Sequence, residues 1–365
     1  MVTTDNPIGT AGFEFIEFAH EEPAILAKLF ETMGFVAVAR HRSKAVTLYR
    51  QGDVNYLINA EPDSFASGFA KLHGPCACAM AWRVADAKKA LAHAVSLGAT
   101  PVELPRGEGE LHIPGIKGIG GSHLYFVDKF KVNELSANTT IYDVDFNWLS
   151  ESDPEHEGFG LHYIDHLTHN VHRGNMDLWT AFYSDMFGFR EIRFFDIEGR
   201  HSGLFSRALT SPCGRIRIPI NESRDDKGQI EEYLSAYQGE GIQHIACGCR
   251  NIHESIKLLR ENGLQFMPAP PDSYYERVDE RLPGHGESLS MLRKNGLLID
   301  GEAAVDTLEG KGGITKVLLQ VFSKTVVGPI FFEFIERKGD EGFGEGNFKA
   351  LFESIEEDQI QRGVL

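Results

Sequence analysis

Phe182-Tyr-Ser-Asp-Met-Phe-Gly188-Phe189 reads as the end of a helix that stops on a glycine and passes the chain to an apolar residue. The same ending recurs in Leu29-Phe-Glu-Thr-Met-Gly34-Phe35, in Leu91-Ala-His-Ala-Val-Ser-Leu-Gly98-Ala99 and in Leu258-Leu-Arg-Glu-Asn-Gly263-Leu264. Glycine just past a helix takes the left-handed conformation that side-chain-bearing residues adopt only at a cost. Each helix follows an apolar, strand-like run: Gly12–Phe18, Cys78–Val84, His166–Val171 and Gln243–Cys249. Asp86 and Asn251 stand where the second and fourth helices need N-caps. Further strand-like runs come after the glycines, such as Val46–Tyr49 with Val54–Ile58, and Arg215–Pro219. The unit is strand, helix, then several strands, and its fourfold recurrence points to duplication in an α+β chain.

Units this small cannot each enclose a core, so they are expected to pair into two domains. The 365-residue length suits two domains better than one. The polar stretch from Lys129 to Gly160 places the boundary near residue 150, giving domains 1–150 and 151–365. Laying the halves together with Gly188 over Gly34 puts His166 near Gly12 or Phe13. Gly263 over Gly98 puts His244 on Ala79. The first half thus keeps the fold pattern without the histidines.

The net charge of −17 argues against nucleic acid or an anionic membrane as partner, since both need a basic footprint. A small anionic substrate needs only a local positive site. No apolar stretch is long enough to span a bilayer, and the start Met1-Val-Thr-Thr-Asp-Asn-Pro lacks the regions of a signal peptide. Five cysteines do not suggest a disulfide framework, and a reducing cytoplasm is the simplest reading. Cys76/Cys78 and Cys247/Cys249 each share a strand face, where the expected role is that of small buried hydrophobes.

Glu333 lies in the aromatic strand-like run Gly328-Pro-Ile-Phe-Phe-Glu-Phe-Ile-Glu336, on one face with Phe331 and Ile335. A carboxylate there is either wet at a sheet edge or buried with a partner. His166, sharing a face with Ile164, and His244, sharing one with Ile242 and Ala246, sit in similar settings. Two imidazoles and a carboxylate form the facial triad suited to non-haem Fe(II). His169 is the rival to His166, on the opposite face of a regular strand, and spacing alone does not choose between them. The glycine-rich loops Gly118-Ile-Gly-Gly121 and Gly342-Phe-Gly-Glu-Gly346 match no phosphate-binding fingerprint.

Five motifs in register, Asp165-His-Leu-Thr-His-Asn170, Gly241-Ile-Gln-His244, Leu318-Leu-Gln-Val-Phe322, Phe331-Phe-Glu-Phe-Ile-Glu-Arg-Lys-Gly339 and Gly342-Phe-Gly-Glu-Gly-Asn-Phe348, carry a resemblance. The chain resembles the 4-hydroxyphenylpyruvate dioxygenase family of the vicinal oxygen chelate superfamily, over essentially its whole length. The resemblance implies two tandem domains, each of paired βαβββ modules forming an open mixed β-barrel, with a C-terminal helix over the active site. It implies one Fe(II) on His166, His244 and Glu333, and decides for His166 over His169. It further implies a polar set around the substrate, Ser206, Asn221, Gln229 and Gln243, with Gln320 near the metal, Phe322 as a stacking surface, and an apolar lining of Pro219, Phe331, Phe343, Phe348, Leu351 and Phe352. The implied reaction takes 4-hydroxyphenylpyruvate and dioxygen to homogentisate and carbon dioxide, in a homo-oligomer. Rival readings are 4-hydroxymandelate synthesis from the same substrate, a non-catalytic binding protein, and a zinc- or nickel-dependent isomerase.

Overall fold

The computed structural model describes residues 3–131, 139–199, 202–304, 315–344, 346–347, 360 and 363. The first sheet is built from β1 (Gly12–Ala19), β2 (Val36–His41), β3 (Val46–Gln51), β4 (Val54–Asn59), β5 (Cys76–Arg83), β6 (Pro101–Val102), β7 (Gly115–Lys117), β8 (His123–Val127) and β9 (Phe146–Trp148). The second is built from β10 (Leu161–Val171), β11 (Arg190–Glu198), β12 (Gly203–Thr210), β13 (Arg217–Ser223), β14 (Gly241–Cys249), β15 (Leu298–Glu302), β16 (Lys316–Phe322) and β17 (Phe331–Lys338). The strand orders are β6-β7-β8-β5-β1-β4-β3-β2-β9 and β11-β12-β13-β10-β14-β17-β16-β15. Read from opposite ends they are the same order, with β9 added at one edge. Each half is centred on an antiparallel pair, β1 with β5 and β10 with β14, flanked by parallel partners. This is the doubled βαβββ architecture.

The repeated helices are α1 (Pro23–Thr32), α3 (Ala87–Ser96), α5 (Met176–Phe187) and α7 (Ile252–Glu261), with further helices α2 (Phe65–His73) before β5, α4 (Ile141–Asp145) before β9 and α6 (Gln229–Tyr237) before β14. Gly34, Gly98, Gly188 and Gly263 all take positive φ, from +73° to +97°, as their positions after a helix require. Asp86 accepts from the Lys89 N–H and Asn251 from the Glu254 N–H, which makes both N-caps. The polar stretch around residue 150 is more than a linker. Thr140 caps the short helix Ile141–Asp145, and β9 then pairs with β2.

One apolar cluster joins the outer faces of both sheets, running from Phe18, Phe30 and Trp82 to Phe187, Ile245 and Phe332. Trp82 packs against Phe187 and Phe189 with ring centroids 5.1 and 5.3 Å away. Tyr56 and Cys247 meet across the halves at 3.1 Å, and the four strand cysteines are buried free thiols. The inner faces differ. That of the first sheet is filled by Phe15, Leu48, Leu57, Tyr125, Tyr142 and their neighbours. That of the second holds a small apolar group, Leu298, Phe322 and Phe331, beside polar side chains. Filling one barrel and leaving a space in the other determines where a ligand can bind.

Candidate metal centre

Ala246 is the floor of the site. It pairs with His166 across β10 and β14, and with Glu333 across β14 and β17. His244, two residues earlier on the same strand, points to the same face. An alanine methyl leaves room above it, and three side chains converge there. His166 Nε2 lies 3.0 Å from Glu333 Oε2, His244 Nε2 lies 3.4 Å from that oxygen, and the two Nε2 atoms are 3.3 Å apart. All three residues are buried.

The remaining ring nitrogens establish what these atoms offer. His166 Nδ1 is 2.9 Å from Asp165 Oδ1, and a carboxylate can only accept, so Nδ1 carries the proton. His244 Nδ1 donates to Gln243 Oε1 at 2.7 Å. In their neutral forms, with the proton on Nδ1, both imidazoles present Nε2 lone pairs toward the Glu333 carboxylate. Three acceptors facing one another at this range are a donor set for a cation, and the neutral-imidazole and carboxylate chemistry suits a divalent first-row metal. Gln320 Nε2 donates to Glu333 Oε1 at 2.8 Å and orients the carboxylate. Thr168 Oγ1 lies 2.9 Å from His244 Nε2.

The electrostatics agree with tight coupling. Burial works to raise the Glu333 pKa, but His166 and His244 outweigh it and hold the carboxyl at about 2. At His166 burial opposes the proton, yet Glu333 and Asp165 prevail and raise the pKa. At His244 burial wins and the pKa falls. Burial pushes Asp165 up, but Arg337 and then His166 keep it well below the usual carboxylate range.

His169 points away, as a rival on the opposite strand face must. It is fully buried beside Tyr183, whose hydroxyl lies 3.2 Å from Nδ1, and burial brings its pKa down to about 3. The N-terminal counterpart of His166 is Phe15, which corrects the alignment on Gly12 or Phe13. Phe15 pairs with Ala81 as His166 pairs with Ala246. The shift arises because α5 has 12 residues and α1 has 10, and the connections differ as well. Ala79 does stand opposite Glu17 as His244 stands opposite Thr168. Tyr125 takes the place of Glu333, facing Ala81, and its ring lies 5.9 Å from that of Phe15. Among the described residues no other group of histidine, cysteine and acidic side chains has metal-ligand spacing.

One pocket opens over the triad. It is lined by Ser206, Pro219, Asn221, Gln229, Gln243, Gln320, Phe322, Phe331 and Phe343, together with the three triad residues. Ser206 and Asn221 are cross-strand neighbours on β12 and β13. Among the described residues, Ser206 Oγ and Asn221 Oδ1 have no hydrogen-bond partner although both are buried. Phe331 stacks on the His244 ring at 4.7 Å and 21°. Phe348, Leu351 and Phe352 lie outside the described residues. Thr168, Phe195, Leu204, Gly344 and Asn347 also line the pocket and were not singled out in the sequence. Asn347 donates to Gln320 Oε1 at 3.0 Å and accepts from Tyr274 at 2.7 Å, a link that no local pattern reveals.

Gly344 shows how closely the last loop approaches. It has φ of +76°, and a Cβ there would collide with the Gln320 amide oxygen. Gly344→Ala is expected to cost about 1–3 kcal/mol of stability from the strained backbone. It should also displace Gln320 from Glu333 and weaken metal affinity by about 10-fold or more. Metal titration beside a thermal melt checks this, and unchanged affinity would show that Gln320 does not orient Glu333.

Residues 4–147 match the family model for the N-terminal region of hydroxyphenylpyruvate dioxygenase, and residues 138–280 match that of the glyoxalase, bleomycin resistance protein and dioxygenase superfamily. The chain is 54% identical to the 4-hydroxyphenylpyruvate dioxygenase of Pseudomonas aeruginosa, over 99% of this chain and 97% of that protein. It is also 54% identical to hemolysin VllY of Vibrio vulnificus, over 100% of this chain and 99% of that one. A solved structure of a 4-hydroxymandelate synthase variant from Streptomyces coelicolor superposes with a TM-score of 0.80 at 22% identity, covering 96% of this chain and 100% of that one, and so shares the fold. With a doubled βαβββ architecture and full-length similarity at this level, the chain belongs to the 4-hydroxyphenylpyruvate dioxygenase family.

Proposed function

We propose that the chain converts 4-hydroxyphenylpyruvate and dioxygen to homogentisate and carbon dioxide, with one Fe(II) held by His166, His244 and Glu333. The observation that carries this reading is the convergence of three buried acceptors in a pocket whose lining also holds unpaired polar atoms. Held by these three residues, Fe(II) would supply the redox chemistry for oxidative decarboxylation of a 2-oxo acid by dioxygen. The protein positions the rest. Ser206 Oγ and Asn221 Oδ1, buried without partners, are suited to a phenol hydroxyl, and an analogue lacking it would leave them unsatisfied. Gln229, at the start of the helix Gln229–Tyr237, adds an amide to this polar set, and Gln243 reaches the same pocket. Phe322, Phe331 and Phe343 form apolar walls for a flat ring and limit water around it. In this reading residues 1–150 serve a structural role and residues 151–365 carry catalysis, because Phe15 and Tyr125 fill the corresponding N-terminal space.

Incubating iron-loaded protein with 4-hydroxyphenylpyruvate in air and identifying the product tests the reaction. Homogentisate with one equivalent of carbon dioxide is expected. 4-Hydroxymandelate as the main product would move the chain to the side-chain-hydroxylating reaction, and absence of oxygen uptake would favour a binding protein. Asn221→Leu should then lower kcat/KM by about 10-fold or more while leaving metal content unchanged, as expected for a lost polar contact to substrate.

A further inference from the structure

We propose that Asp165, clamped by Arg337, is a positioning residue that locks the His166 tautomer and strengthens it as a metal donor, and that Gln243 plays the neutral counterpart for His244. The inference rests on the metal site proposed above and concerns residues that do not themselves belong to the triad.

The geometry comes from two β-bulges. Along β10 and β14, Ile164 pairs with Cys247 and His166 with Ala246, so Asp165 is the extra residue of one bulge. Thr168 pairs with His244 and His169 with Ile242, so Gln243 is the extra residue of the other. In a regular strand the residue before a histidine points to the opposite face. A bulge re-aims it, and at both places the preceding side chain reaches the following imidazole. Asp165 Oδ1 thus meets His166 Nδ1, and Gln243 Oε1 meets His244 Nδ1. The two strands use one device twice, with an anion on one side and an amide on the other.

Asp165 is completely buried, yet its charge is fully engaged. Arg337 binds it through both nitrogens, Nε to Oδ2 at 2.7 Å and Nη2 to Oδ1 at 2.8 Å. Tyr163 donates to Oδ2 at 3.1 Å, and Arg217 Nη1 lies 3.4 Å from it. Arg337 is in turn fixed by the Asp340 and Gly342 carbonyls. The N-terminal sheet separates the structural part of this arrangement from the metal-directed part. There Glu14 is the extra residue of the corresponding bulge and is clamped to Arg83 at 2.6 Å, but the residue after it is Phe15. A carboxylate–arginine pair at this bulge therefore serves the fold in both halves. The bond to an imidazole belongs to the second half alone, and a carboxylate acceptor on Nδ1 raises the basicity of Nε2.

Anaerobic titration of the full chain with Co(II), followed by its visible absorption, tests the proposal in Asp165→Asn/Arg337→Gln, where two amides can bond each other without leaving a buried charge. A folded double variant should bind Co(II) about 10–100-fold more weakly than the wild type, with shifted ligand-field bands. Equal affinity and an equal spectrum would overturn it. A second measurement needs no variant: the Co(II)-loaded wild type should show two hyperfine-shifted ring N–H resonances protected from solvent exchange. Finding one or none would overturn the paired-acceptor arrangement. A wild-type chain that binds no Co(II) would overturn the reading of the triad instead, which keeps the two failures distinct.

Discussion

Glu333→Ala is expected to abolish turnover and stoichiometric metal binding while the chain still folds. The carboxylate is the sole anion among the three converging acceptors, and both imidazoles lie within 3.4 Å of it. Two neutral nitrogens facing each other at 3.3 Å would remain, with much of the attraction for a cation removed. The loss in affinity should exceed the roughly 10–100-fold effect typical of residues that only support a ligand. Stability should suffer less. Gln320 Nε2 loses one of its two acceptors and keeps the Phe343 carbonyl at 3.3 Å, so the cost should stay near the low end of about 1–3 kcal/mol. Adding Fe(II) anaerobically should raise the melting temperature of the wild type, because a ligand that binds only the folded state stabilises it, and should not move that of the variant. Metal analysis after desalting gives the direct measurement. A variant retaining one tightly bound metal and turnover would remove Glu333 from the ligand set. His166→Ala should behave alike, since His169 faces Tyr183 on the other side of β10 and cannot take over.

Arg337→Met is expected to be the most destabilising single change near the site. It deletes the bidentate partner of Asp165 and leaves a carboxylate with no exposed surface beside only Arg217, Tyr163 and His166. Breaking a buried ion pair by removing one member typically costs about 3–5 kcal/mol, because the other charge stays behind. Arg217 at 3.4 Å supplies partial compensation and is itself bound to Glu341, so the lower end of that range is expected. Urea denaturation of the metal-free proteins would measure the loss. Combining Arg337→Gln with Asp165→Asn should recover most of it, since a neutral amide pair carries no stranded charge. If Arg337→Met melts like the wild type, the pair contributes little to the fold.

Much of the architecture is legible in local sequence because it depends on local physics. A positive φ after a helix selects glycine, so Gly34, Gly98, Gly188 and Gly263 mark four modules without reference to anything distant. Asp86 and Asn251 mark helix starts for the same reason, since a side-chain oxygen satisfies an N–H three residues away. Strand alternation also places Glu333 on one face with Phe331 and Ile335, but it misplaces the histidines, because the bulges at Asp165 and Gln243 put His166 and His244 on the face opposite Ile164 and Ile242. Whether the ligand on β10 is His166 or His169 was open from spacing and was chosen by family resemblance.

Tertiary pairing decided the rest. The bulges at Asp165 and Gln243 exist only in the register of β10 against β14, so the aim of both side chains is absent from either strand alone. Arg337 meets Asp165 from 172 residues away, and Asn347 steadies Gln320 across 27 residues of sequence. Ala246 became the floor of the site because two strands on either side present His166 and Glu333 to it, whereas Ala81 lies beneath Phe15 and Tyr125. The sequence by itself therefore determined the modules and the chemistry available to each strand. Only the assembled sheets decided which barrel would hold a site, because a pocket is the space that side chains from several strands leave unfilled, and that space has no signature in any one of them.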